Sequence, residues 1–152
     1  MNNMQTRKTV LFFFILVFLF TSCQSNNKNA NHQDKTALEP PWQPVEGNEF
    51  NLIVTGMVYL NNKLLTSDKS FWVITYGPGG IENDCRSKGI VGNRDWNLQP
   101  GQYYATIRGD KKDETINFKL WDSRSGTSYD ARENLSFEPE GTRTGFDLHF
   151  QE

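Results

Sequence analysis

ETINFKLWD, residues 114–122, alternates apolar and polar side chains along its whole length. Ile116, Phe118 and Leu120 fall on one side; Thr115, Asn117, Lys119 and Trp121 fall on the other. Successive side chains of a strand leave opposite faces, so this period of two predicts a strand with one side in a core. SRSG (residues 123–126) closes it as a turn. A short strand is expected near Tyr129 and another around Leu135 and Phe137. In the last strand Phe146, Leu148 and Phe150 should face inward, with Asp147 and His149 outward.

The same period runs upstream. FNLIVTGMVYL (residues 50–60) is β-branched and apolar, and Asn61-Asn62 ends it as a turn. SFWVITY (residues 70–76) is apolar on both faces, as an interior strand would be. GPGGIENDCRSKG (residues 77–89) reads as a loop from its glycines, Pro78 and polar residues. Pro100-Gly101 separates two expected short strands, at 95–98 and 102–108. Short strands punctuated by turns every ~8 to 12 residues predict an all-β domain, a single antiparallel β-sandwich, immunoglobulin-like or related. Roughly 105 residues suffice to bury one such core.

The N-terminus has another character. Arg7 and Lys8 precede VLFFFILVFLF (residues 10–20), an unbroken apolar run. As a helix it would reach roughly 16 Å, about half a bilayer's hydrocarbon core. That suits the apolar region of a signal peptide better than a permanent anchor helix. Cys23 follows at once. FTSC (residues 20–23) resembles the lipobox of bacterial lipoproteins, with Thr21 and Ser22 fitting and Phe20 standing where Leu is usual. Phe-rich signals with Ser before the cysteine look like those of Bacteroidota lipoproteins. The resemblance implies a signal peptide over 1–22 and cleavage before Cys23. It also implies palmitate-type acylation of that thiol and a lipid-anchored place at the outer membrane. Two acyl chains hold where one would exchange. QSNNKNANHQ (residues 24–33) has no acidic run of the kind that resembles a surface-export signal, which leans toward the periplasmic face. The Asn-, Gln- and Pro-rich stretch behind Cys23, over 23–47, reads as a flexible tether of roughly 25 Å reach, leaving 48–152 as the sandwich domain. Trp42 in that tether either docks on the domain or stands in solvent.

DETINFKLWDSRSGTSYDARENLSFEPEG (residues 113–141) carries a second resemblance. It is similar to the end of a β-sandwich module recurrent in secreted and surface proteins of Bacteroidota, which reads like "GETVTFKLYDASTGKEYD…ETLTFEANG" after a segment like "GECRGVA". Here ENDCRSKGI (residues 82–90) stands in the latter place, with Cys85-Arg86 matching and Gly89 displaced. The resemblance implies an all-β accessory module with no agreed activity.

Charge narrows the partners. Removing residues 1–22 takes away two cations and no acid, so the net charge falls from −2 to −4. Nucleic-acid binding relies on clustered Lys and Arg, and the only basic doublet left, Lys111-Lys112, is flanked by acids. No nucleic-acid partner is expected. Cys85 beside Arg86 has the makings of an activated thiol, yet a nucleophile needs a positioned base. The two histidines are His32, in the tether, and His149, facing outward. A structural cysteine is the better reading. Asp110, Asp113 and Glu114 form a loose acidic group with Lys111 and Lys112 between them; solvated turn residues explain them without a metal. An EF-hand counted from Asp122 fails at Arg124 and Gly126. GPGG (residues 77–80) lacks the ending of a phosphate loop, and Asn134-Leu135-Ser136 matches a glycosylation triplet by chance. No cofactor is called for, and acids clustered in turns speak against glycosidase-like carboxylate pairs.

Aromatic residues are the surplus. Trp96, Tyr104 and Trp121 are the candidate ligand-binding residues, because an exposed ring beside amide and charged groups stacks on a sugar or anchors a protein. The plainer alternative has these rings capping the ends of the sandwich. The functional expectation is a membrane-anchored, non-enzymatic binding module for protein or glycan; the alternative is a structural or accessory subunit of an envelope assembly, using strand edges. Replacing Cys23 by Ala is expected to abolish fatty-acid labelling and membrane retention. Uncut precursor that stays in the membrane would instead favour the anchor helix.

Overall fold

A computed structural model describes residues 38–66, 70–92 and 97–152, which lie in one compact unit, Gln33–Glu152. Cys23, Trp96 and the expected signal peptide lie outside the described residues. Among the described residues nine strands are formed: β1 Phe50–Leu60, β2 Lys63–Leu64, β3 Phe71–Tyr76, β4 Cys85–Ile90, β5 Gln102–Gly109, β6 Thr115–Asp122, β7 Thr127–Ser136, β8 Gly141–Arg143 and β9 Leu148–Phe150. The chain is all-β over these residues. Its strands hydrogen-bond in the order β2-β1-β9-β7-β6-β3-β4, and β5 and β8 also pair with β1.

The sheet is mixed, whereas the sequence led us to expect antiparallel pairing throughout. β1 runs antiparallel to β5 from Phe50 to Met57. On its other flank it runs parallel to β8 at Leu52–Val54 and to β9 at Val58–Leu60. Between β8 and β9 the chain bows out across Gly56. A Cβ there would stand 2.0 Å from the Phe146 carbonyl oxygen, so only glycine admits the bow. Phe146 donates its N–H to Thr55 O (3.0 Å), and its carbonyl accepts from the buried Tyr103 hydroxyl (2.7 Å).

Alternation decides what is inside. Val54 and Val58 of β1, Tyr103 and Ile107 of β5, Val73 of β3, Ile116, Phe118 and Leu120 of β6, and Leu148 and Phe150 of β9 are all within 1% of complete burial. Each large apolar side chain so buried contributes about 1.5–3 kcal/mol before entropy is counted. The inward residues expected from 114–122 are among them, as are two of the three expected from the last strand; Phe146 is half-buried, ahead of β9.

The sheet curls into a half-barrel, bringing β4 round against β5. Gly92 donates to Gln102 O (2.7 Å), and a Cβ on Gly89 would meet Tyr104 O at 2.6 Å, so this approach needs glycine.

Three expected elements come out differently. Residues 85–89, the end of the stretch 77–89 read as loop, belong to β4, because the ladder with β3 recruits a sequence of low strand propensity; its register shifts at Thr75/Tyr76. The two strands expected around Tyr129 and Leu135 are one strand, β7. Ala131, Arg132 and Glu133 stand opposite the single residue Phe118, and this irregularity interrupts the alternation. Of the strand expected at 95–98, Asp95 and Trp96 lie outside the described residues, and Asn97 sits in a turn with φ 58°. The Asn61-Asn62 turn is as expected, with φ 52° and 60° and Leu60 paired to Lys63.

Candidate functional site

The tether's last part is tied down. Leu38 donates to Ser123 O (3.0 Å), Val45 donates to Cys85 O (2.8 Å), and Pro40 is buried between them. Trp42 sets its ring edge-on to Trp121, with centroids 5.6 Å apart, and gives its indole N–H to Glu82 (2.8 Å). Trp121 in turn donates to Leu38 O (2.8 Å). Residues 38–46 thus form a strap over the outer faces of β3, β4 and β6. Beneath it lie Trp121, its cross-strand partner Trp72, and Ile74, which is fully buried although it faces away from the core. Trp121 therefore anchors the chain's own strap. Tyr104, half-buried on β5 opposite Thr55, is separated from it by β4 and β3 around the curl.

Cys85 and Arg86 are both enclosed by the fold. Arg86 stands in the β4 irregularity and is 8% exposed. It forks onto Asp84, onto Glu114 (3.1 Å to each carboxylate oxygen) and onto Arg108 O (2.8 Å). The guanidinium is thus spent on carboxylates and leaves the neighbouring thiol alone. Cys85 is 1% exposed, and burial pushes its thiol up to about 11, away from the thiolate that chemistry would need. The loose acidic group is likewise dispersed: Asp110 accepts from Glu49 N–H, Asp113 faces the Ser136 hydroxyl, and Glu114 holds Arg86. His149 stacks on Tyr59 (4.9 Å, 10°), and its Nδ1 lies 2.7 Å from Glu133.

The concave site is elsewhere, where the sheet parts. β7 and β8 run antiparallel through a turn closed by Gly141 N–H to Glu138 O (3.1 Å). They do not pair with each other: β8 goes to β1, and β7 meets β9 only at Ala131↔Phe150. The opening between them is a cleft of about 430 Å³. Leu52, Leu135 and Phe146 line it with apolar surface; Asn134, Ser136 and Thr142 bring amide and hydroxyl groups; Lys112, Arg143, Asp113 and Glu138 bring two charges of each sign. The lip carrying Lys112 and Asp113 is fixed by Asp113 N–H to Phe137 O (2.9 Å) and Phe137 N–H to Glu114 O (2.8 Å). A second hollow of about 500 Å³ lies between the strap and β4–β5, but it is floored by the Arg86 clamp.

The cleft was missed in the sequence because it arises from a failure to pair, and failed pairing leaves no periodic trace. One signal was present: the weakened alternation after Tyr129 marks where β7 turns away. No family model matches the chain, and no curated protein matches it.

In the Cys23→Ala protein, Cys85 is the one remaining thiol. A disulfide-exchange reagent at pH 8 is expected to label it slowly in the folded state and completely after denaturation. Because the folded value is raised, the neutral thiol's stabilising share should be lost only as pH rises from about 9 toward about 11. Rapid labelling of folded protein would show an accessible thiolate and contradict the structural role.

Proposed function

We propose that this chain is a membrane-anchored envelope lipoprotein acting as a non-enzymatic binding module, with the β7–β8 cleft as its binding site. The observation that carries this reading is the cleft itself, a hollow of small-ligand size in which polar and charged groups converge around Leu52, Leu135 and Phe146. Its placement supports the same reading. The chain enters the described domain at Leu38, beside the Ser123–Gly126 turn, whereas the cleft sits at the other end of the β6–β7 hairpin. An anchor upstream, through acylated Cys23, leaves that far pole open. The lipid anchor rests on the FTSC resemblance and on the tether behind it, and the outer membrane, periplasmic side, remains our placement.

We read the curl as a relative of the immunoglobulin-like sandwich, with β1, β5 and β9 facing β3, β4 and β6 across one core and with β8 and β9 added in parallel. The ligand is protein or glycan. The strand-edge alternative of an assembly subunit has less support, because Arg86 and the strap engage the edge of β4.

Thr142 is exposed and lines the cleft, so Thr142→Trp fills the hollow from its exposed side and replaces no core residue. Immobilised wild-type chain, passed over an envelope extract of the source cells, is expected to retain a component that Thr142→Trp retains at least tenfold less. Equal retention by the two would remove the cleft from the function.

A further inference from the structure

Within that reading, on which it rests, we infer that the ligand of the β7–β8 cleft is a saccharide, held by one face of a pyranose ring against Phe146. Shape comes first. The turn at Glu138–Gly141 stands where β7 passes into β8, and the bow at Phe146, bonded to Thr55 and Tyr103, stands beyond the end of β8. An extended peptide pairing with the β7 or β8 edge would run into the turn or the bow, so the site takes a compact unit, not a through-running strand. The bow is tied further by Met57 N–H to Asp147 (2.9 Å).

Charge comes second. Lys112 and Arg143 are offset by Asp113 and Glu138. A simple anion would gain from the first pair and meet the second; a simple cation would do the reverse. A neutral polyhydroxyl ligand suits all four at once, because each hydroxyl both donates and accepts. Asn134, Ser136 and Thr142 add uncharged donors and acceptors to the same rim.

The apolar wall comes third. Phe146 is half-buried and packs its ring on Phe118 at 5.6 Å and 37°, which holds it in place. A fixed aromatic surface among polar groups matches the two characters of a pyranose, C–H bonds on one face and hydroxyls at its edge.

The test is a titration of the full-length, ¹⁵N-labelled chain in mild detergent with four probes: cellotriose, maltotriose, mannotriose and chitotriose. At least one is expected to shift the amide signals of Asn134, Ser136, Thr142, Arg143 and Phe146 in a saturable way. Thr142→Trp should abolish those shifts while leaving the signals of β3 and β6 in place, which shows that the variant is folded. No saturable shift from any of the four at millimolar concentration would overturn the saccharide assignment, and so would shifts that persist in Thr142→Trp. The two readings fail separately. If no sugar binds but envelope capture still depends on Thr142, the binding module stands with a protein ligand. If capture is also indifferent to Thr142, both fall.

Discussion

Where β4 and β5 stop approaching each other, one guanidinium takes over. The two strands meet around Gly89 and Gly92 and then part toward Cys85 and Arg108. Arg86 fills the gap, and its five N–H groups have five partners: two oxygens of Asp84, two of Glu114 and the carbonyl of Arg108. Such a cation is costly to bury unless its donors are used up, and here they are. Two carboxylate forks add direction to charge, which a lysine would not supply. The curl of the sheet rests on this cluster.

The rest of the architecture hangs on it in a traceable way. Holding β4 beside β5 makes an outer surface continuous enough for the strap, whose Val45 bonds to Cys85 next to Arg86. Holding Glu114 fixes the turn between β5 and β6, and through the exchange of bonds with Phe137 it fixes the lip of the cleft. The opposite wall depends on a different constraint, the glycine at 56 that lets Phe146 cross β1. Two local demands, a saturated arginine and an absent Cβ, therefore set the geometry of a site that neither residue lines.

Much of the core was legible because alternation reports burial directly. Ile116, Phe118 and Leu120 could be placed inside from nine residues of sequence, and they are. Trp121 was correctly put on the outer face, yet the sequence cannot say that an incoming segment covers it; the partner, Trp42, lies 79 positions away. β4 was hidden for a related reason. CRSKG has poor strand propensity, and its pairing comes from β3 and from Arg86, which are tertiary effects. The parallel placement of β8 and β9 was hidden because alternation fixes facing and says nothing of direction. The cleft combined both blind spots. In the sequence Asp113 reads as a solvated acid and Asn134 and Ser136 as parts of a chance triplet, since nothing linear joins residues 112–113 to 134–146.

The measurement that bears most directly on this account is the denaturant-unfolding free energy of Arg86→Met beside wild type. Methionine keeps much of the volume and removes the cation, leaving Asp84 and Glu114 largely buried without their partner. A loss of about 3–5 kcal/mol is expected, as for other buried ion pairs broken on one side. A variant within about 1 kcal/mol of wild type, the range of an exposed pair, would mean that the curl closes without the clamp.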